Sequence, residues 1–525
     1  MRTAPARRYP PEPPGGQPPS STHLTLHTSA LRRAEKVEEP MSLFDPALWS
    51  GKINIDGWRD ASGGKTAVVN PSTGDTLEHI GSADASDIAR AASRAAEVQR
   101  AWAATPNTER AAILRRAGEL FAAHAPQIQD WLIRESGSTR ARAVFETDQA
   151  EQECYEAAVL CSHPIGQVMP SAEPRLSMTR RVPAGVVGVI SPFNVPLILA
   201  IRSVAPALAL GNTVVLKPDP RTAVSGGVTI MRIFEEAGLP QGVLTLVPGD
   251  GAAGAALVDD PHVRVISFTG STGAGRKVGE AAARGVKRAH LELGGNNPMI
   301  VLADADLDRA ISTVAWGSFF NQGQVCMATG RILVHADIAE EFTARLVAKA
   351  EQLTVGDPDT ADVDLGPLIN AHQRDTIHAQ VTASIAAGAR LLAGGTYDDL
   401  FYRPTVLVDV PDDAPAYAEE VFGPVVPVRT FTTLDEAAQL AADDPYGLSL
   451  GILTRDVMTG LELAERIPSG LVHINDQTIN DDARIPFGGV GWSGTGARFG
   501  GEANIDAFTE TRWITVRSSQ PVYPI

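Results

Sequence analysis

GVVGVIS (residues 185–191), VPLILAIRSVAPALAL (195–210) and TVVLKP (213–218) follow one another with almost no linker. The first is a short run rich in Val, as expected of a strand buried on both faces. The second is an apolar helix that stops at Gly211, a residue suited to the left-handed turn after a helix. The third is another strand. Strand, helix and strand in this order make a right-handed crossover between parallel strands. Downstream the alternation continues. Residues 224–237 read as a helix ended by Gly238, GVLTLVP (242–248) as a strand, 252–258 as a helix and VRVISFTG (263–270) as a strand. The pattern predicts an α/β fold with a doubly wound parallel sheet. Upstream, residues 41–56 read as short strand and loop, and residues 85–104, 108–124 and 145–162 as helices. A second α/β set starts near Asn297, with PMIVLAD (298–304), helices at 307–321 and 337–353, and GPVVPVRTF (423–431). The final WITVRSS (513–519) reads as a strand without a local partner, suited to pairing across a subunit boundary.

At 525 residues the chain is too long for one ordinary core. With 44% apolar and 20% charged residues it has a globular composition. The net charge of -17 repels phosphate and argues against nucleic-acid or anionic-membrane partners. The most apolar stretch, 196–210, is too short for a membrane span and contains Arg202 and Pro206. Three cysteines, Cys154, Cys161 and Cys326, do not make a disulfide framework and point to a cytoplasmic setting. Cys154 and Cys161 share a helix face and are expected to pack as small apolar residues. No metal is expected, since zinc-ligand spacings are missing. Residues 1–40, rich in Pro and Arg, are expected to be disordered, and Met41 of MSLFDPALW is a candidate start.

Five segments carry residues suited to chemistry. In FFNQGQVCMATGR (319–331), Cys326 follows a Gly-containing break, and a thiolate is a strong nucleophile where a positive field favours it. In LELGGNNP (291–298), Glu292 ends a strand before a Gly-Gly turn, where it faces a cleft or merely caps. In SPFNVP (191–196), Asn194 sits at a Pro-flanked break, placed either to cap the helix or to donate to an oxyanion. FTGSTGAGR (268–276) runs from a strand through glycines into a helix start, where backbone N–H groups bind phosphate and Ser271 adds a hydroxyl. Lys217 ends a strand, on the side where open α/β sheets receive ligands.

As an ordered set, SPFNVP, NTVVLKPDP, FTGSTGAGR, LELGGNNP, FNQGQVCMA, EEVFGPVVPV and PFGGVGWSGTG resemble the aldehyde dehydrogenase superfamily from about Ser42 to the C-terminus. The resemblance implies Cys326 as nucleophile, Asn194 as oxyanion amide and Glu292 as general base. It implies a nicotinamide cofactor held by Lys217, Gly270, Ser271, Glu420 and Phe422, with Pro192 and Phe193 beside it. It also implies a cofactor domain over residues 41–293 with oligomerisation strands near 163–183. A catalytic domain over 294–490 would follow, then a return segment and C-terminal oligomerisation strand over 491–525. A homodimer or homotetramer acting on a small-molecule aldehyde is expected. Two positions depart from the family pattern: Phe193 replaces a common Trp, and Pro220 stands where NAD-preferring members have Glu. The missing Glu leaves NADP open; NAD is the expected cofactor.

Within the superfamily, LKPDPRTAVSGG, GPLIN, LAGGTYDD and VHINDQTIN are most similar to benzaldehyde dehydrogenases of aromatic-degradation pathways. An aromatic aldehyde suits an apolar pocket, for which Val195, Leu199, Val325, Phe487 and Asn480, with Ile479, are the candidate lining residues. A semialdehyde or aliphatic substrate is the alternative, and Arg202 is the cation that would favour a carboxylate-bearing one. A catalytically silent binding protein of the same fold is the remaining reading.

Overall fold

The computed structural model describes residues 42–524. The expected tail disorder over 1–40 lies outside the described residues. Two seven-stranded sheets organise the chain. The first runs, edge to edge, Arg288–Glu292, Val263–Thr269, Val186–Ile190, Thr213–Lys217, Leu244–Leu246, Lys52–Asn54 and Trp58–Asp60. Its first five strands are parallel, and the two N-terminal strands extend it antiparallel. All five residues of Val186–Ile190 are buried, and so is every residue of the helix Pro196–Ala209. Apolar composition on all sides requires this double coverage, because an exposed face would leave Val and Ile in water. Gly211, at φ +84, ends the crossover as expected.

The order of strands reverses direction between Val186–Ile190 and Val263–Thr269. From Val186–Ile190 the chain builds outward one way through Thr213–Lys217 and Leu244–Leu246. It then returns to add Val263–Thr269 and Arg288–Glu292 on the other side. A crevice opens at the carboxyl ends of the strands at such a switch point.

The second sheet runs Arg390–Ala393, Thr405–Val408, Val425–Phe431, Thr329–His335, Asn297–Val301, Ser449–Leu453 and Leu471–Ile474, parallel except for its first strand. The link between the sheets is the short segment from Glu292 to Asn297.

Three features differ from the sequence reading. The C-terminal strand Thr509–Val516 does have a partner in its own chain: it pairs antiparallel with Leu176–Pro183 along its full length. The partner is not local, as the sequence implies, but lies more than 300 residues upstream, as the Trp513–Ser177 hydrogen bond illustrates. A helix at Ala125–Ser136 was not anticipated. The helix expected over 224–237 opens with a π-turn at Val224–Val228, where Glu135 accepts from the N–H groups of Val224 and Ser225. Cys154 and Cys161 are both buried in the core. No described helix is long and apolar enough to cross a membrane.

Candidate active site

A cleft of about 530 Å³ occupies the switch-point crevice. Strand ends of the first sheet supply Pro192, Phe193, Asn194, Lys217, Gly270 and Ser271, and the second half of the chain supplies Cys326, Glu420 and Phe422. Leu199 adds an apolar wall.

Ser271 is the N-cap of the helix Thr272–Arg284, its hydroxyl accepting from the Ala274 N–H. The helix therefore presents its positive end to the cleft. Lys217 is 5% exposed, and its Nζ donates to the neutral Pro218 carbonyl at 3.3 Å. Burial lowers its proton affinity, with Asp219 and Asp250 opposing. Its remaining N–H donors suit hydroxyl acceptors.

Asn194 caps nothing; Val195 holds the N-cap position without a side-chain bond. The Asn194 amide instead crosses to the cysteine loop and donates to the Gln324 carbonyl at 3.0 Å. An amide nitrogen carries two hydrogens, so one remains for a ligand. The loop takes its shape from two left-handed residues, Asn321 at φ 52 and Gln322 at φ 55. Asn297 then holds its far side, donating to the carbonyls of Cys326 and Ala328 at 2.8 Å each.

The Cys326 thiol is pushed up to about 12 by burial, then by the carboxylates of Glu420 and Glu292, with Arg202 acting the other way. Glu292 is 3% exposed, and neither carboxyl oxygen has a hydrogen-bond partner among the described residues. Burial raises it well above the usual carboxylate range, opposed by Arg202 and Arg498. Glu420 accepts from the Gly295 N–H at 3.0 Å, and burial pushes it up to about 7. A Cβ at Gly294 would stand 2.1 Å from the Glu420 carboxylate, so the Gly-Gly turn is what admits this group. Phe422, at φ 53, meets Phe193 edge to face at 5.9 Å.

The family model described as the aldehyde dehydrogenase family matches residues 58–514. The chain belongs to the aldehyde dehydrogenase family. It is 64% identical to the vanillin dehydrogenase of Amycolatopsis sp., over 92% of this chain and 100% of that one. It is 48% identical to the NAD(+) benzaldehyde dehydrogenase of Pseudomonas putida, over 91% and 98% of the two chains. A solved salicylaldehyde dehydrogenase from Pseudomonas putida G7, complexed with salicylaldehyde, superposes with a TM-score of 0.88 at 35% identity. The match covers 90% of this chain and 99% of that one.

Cys326 also packs against an apolar cluster of the dehydrogenase. Val325, Met327, Leu448, Leu471 and Phe487 pack there with the partly buried Phe320, Cys326 and Ile479. Val195 is half-buried at the helix start. Asn480 is half-buried and donates to Asp476 at 3.2 Å. Arg202 is buried over the Phe487 ring at 4.6 Å, ion-paired with Asp481 and 3.8 Å from Glu153.

Sequence reasoning missed Asp219 and Arg221, which line the cleft just beyond Lys217, and His372, Gln373 and Thr376 on the helix Ala371–Ala386. For the first pair the signal was present, since they follow Lys217 at the same strand end. The helix carried none, lying far along the chain without a motif.

Proposed function

We propose that the enzyme oxidises an aromatic aldehyde to the carboxylic acid with NAD+ and water, through a thioester on Cys326. One observation carries the reading. Cys326 both lines the switch-point crevice and packs against an apolar cluster that includes Phe487 and Phe320.

The cleft residues fit a dinucleotide. Lys217 offers donors to a ribose, the helix start at Ser271 a cradle for pyrophosphate, Glu420 an acceptor for the second ribose, and Phe422 and Phe193 flat walls. NAD+ bound there supplies a hydride acceptor and a positive ring charge beside the thiol. The protein's own residues then act in sequence. Cys326 loses its proton and its sulfur bonds to the aldehyde carbon. The carbonyl oxygen becomes an oxyanion, stabilised by the free N–H of Asn194 and the backbone N–H of Cys326. Hydride loss restores the carbonyl as a thioester. Glu292, with its raised proton affinity and unpartnered oxygens, then takes a proton from water as that water attacks. The Cys326–carbon bond breaks, the proton taken up by Glu292 passes to the sulfur, and the thiol is regenerated as the carboxylic acid leaves; the proton first lost by Cys326 is the one released to solvent.

The apolar wall supports an aromatic substrate over a semialdehyde, because the Arg202 charge is already balanced by Asp481. Loss of the family Trp at Phe193 and of Glu at Pro220 leaves NADP as a second cofactor. The paired strands Leu176–Pro183 and Thr509–Val516 support assembly as a homodimer or homotetramer, with residues 42–293 forming the cofactor domain and 294–490 the catalytic domain. A cytoplasmic location fits the three unpaired cysteines.

Steady-state rates for benzaldehyde, a hydroxylated benzaldehyde, hexanal and succinate semialdehyde, each with NAD+ and NADP+, test the reading. The aromatic aldehydes are expected to give the highest kcat/KM. A preference for succinate semialdehyde would overturn the substrate assignment. Full activity in Cys326→Ala would overturn the mechanism. Glu292→Gln is expected to give a burst of NADH followed by stalled turnover.

A further inference from the structure

A buried polar chain leads from the helix Arg140–Leu160 to the two segments that form the oxyanion site. Arg142 is 2% exposed. Its Nη1 donates to Asn321 Oδ1 at 2.6 Å, and its Nη2 donates to Glu146 Oε2 at 3.0 Å. The other Glu146 oxygen accepts from the Leu197 N–H at 2.8 Å, in the first turn of the helix that follows Asn194. Asn321 Nδ2 donates to both the Asn194 carbonyl and the Gln324 carbonyl, each at 3.2 Å. Gln324 O is also the acceptor of the Asn194 side chain. Every link is buried.

We propose that Arg142 is a positioning residue for the oxyanion amide, acting through Asn321 and Glu146 to hold Asn194 against the Cys326 loop. The inference rests on the proposed oxyanion role of Asn194.

The argument is one of donor and acceptor types. A guanidinium only donates, so Asn321 must turn its Oδ1 to Arg142. The Asn321 NH2 is then directed at the two carbonyls and cannot flip, since a flipped amide would set donor against donor and carbonyl against carbonyl. With that orientation fixed, one side chain joins the strand-end backbone at Asn194 to the backbone two residues before Cys326. Glu146 fixes the remaining coordinate by holding the start of the next helix. The same contacts fix Asn321 in the left-handed conformation that asparagine tolerates better than most residues. Rigid support of this kind determines whether an oxyanion donor stands where charge develops.

A double-mutant cycle on kcat tests it, using Asn194→Ala and Arg142→Met in the full-length enzyme. Asn194→Ala alone tests the underlying reading: unchanged kcat there would remove the oxyanion role whatever Arg142 does. Arg142→Met is expected to lower kcat about 30-fold, with the dissociation constant for NAD+ and the KM for benzaldehyde within about twofold of wild type. In the Asn194→Ala background the same substitution is expected to change kcat by less than about twofold, because the group it positions is gone. Arg142→Lys, which retains a donor, is expected to restore part of the rate. A purely structural role predicts the same fold loss in both backgrounds, and that additivity would overturn the proposal, as would wild-type kcat in Arg142→Met. Should Arg142→Met not fold, the charge-balanced pair Arg142→Met with Glu146→Gln carries the same comparison.

Discussion

The Glu420 carboxylate raises the proton affinity of the Cys326 thiol, an effect second only to burial. Glu420 itself is pushed up to about 7, so this influence switches on as the pH passes neutrality. Burial and the neighbouring carboxylates thus oppose ionisation of the thiol, and a positive charge brought beside it would favour ionisation.

Glu420→Gln is expected to speed alkylation of cofactor-free Cys326 by iodoacetamide at pH 9, where the wild-type carboxylate is charged. One pKa unit corresponds to a factor of 10 in thiolate, and a partial effect of about threefold to tenfold is expected. At pH 6, where Glu420 is protonated in the wild type, the difference should largely vanish. Equal rates at pH 9 would show that the carboxylate does not reach the thiol. The same variant is expected to raise the dissociation constant for NAD+, which calorimetry would read separately.

His290 predicts a pH dependence of stability. It is buried between Phe499 and Phe508 and lowered to about 4 by burial, with Arg288 adding repulsion. Neither ring nitrogen has a hydrogen-bond partner among the described residues. The folded chain thus refuses a proton that the unfolded chain accepts at its ordinary value near 6.5. This group's contribution to stability is therefore full above pH 6.5 and falls as the pH drops toward 4. The loss at the acid end is about 3 kcal/mol, from roughly 1.4 kcal/mol per unit. Glu135 and Glu420, pushed up to about 7, have the opposite sign and favour the folded state as the pH falls. The difference between wild type and His290→Leu isolates the histidine. The urea midpoint of His290→Leu, relative to wild type, is expected to rise steadily between pH 6.5 and 4.5. A difference independent of pH would refute the assignment.

Arg202 predicts a change of substrate. Its charge is balanced by Asp481, since Glu153, pushed up to about 8 by burial, is largely neutral at pH 7. Asp481→Ala would remove the carboxylate bonded directly to the guanidinium beside Phe487, leaving only Glu153 at 3.8 Å. A carboxylate-bearing aldehyde then supplies the missing charge. The ratio of kcat/KM for succinate semialdehyde to that for benzaldehyde is expected to rise about tenfold or more, a desolvated charge pair contributing roughly 1.5–3 kcal/mol. An unchanged ratio would place Arg202 outside the substrate's reach.

Much of the site was legible because its chemistry sits at strand ends. Asn194, Lys217, Gly270 and Ser271 each follow an apolar run that reads as a buried strand, and a doubly wound sheet gathers such ends into one crevice. Cys326 needed its Gly-containing loop and its neighbours in the motif. What stayed hidden depends on pairings between distant segments. Arg142 and Asn321 lie 179 residues apart, and an arginine in a helix of mixed charge looks like one more solvated side chain. The pairing of Thr509–Val516 with Leu176–Pro183 is hidden for the same reason. The local bond from Asn480 to Asp476 is likewise carried by no motif.

The last prediction concerns the second cofactor. Asp219 and Arg221 line the crevice beside Lys217. Arg221 grips the Asp219 carboxylate through Nε at 2.8 Å and Nη2 at 2.7 Å, and lies over the Phe193 ring at 4.1 Å. A carboxylate at the adenosine ribose end accepts from hydroxyls and repels a phosphate, whereas a free guanidinium binds a phosphate through two parallel hydrogen bonds. While the pair is closed, a ribose bound beside Lys217 would meet the anion and the arginine would be spent on its neighbour, which would favour NAD+. Asp219→Asn removes the repulsion and releases the fork without changing the side-chain volume. The ratio of dissociation constants, NADP+ over NAD+, is expected to fall about tenfold or more, read by calorimetry on the cofactor-free enzyme. Adding Arg221→Ala should then return the ratio toward the wild-type value. If Asp219→Asn left the ratio where it was, discrimination would lie with residues other than this pair.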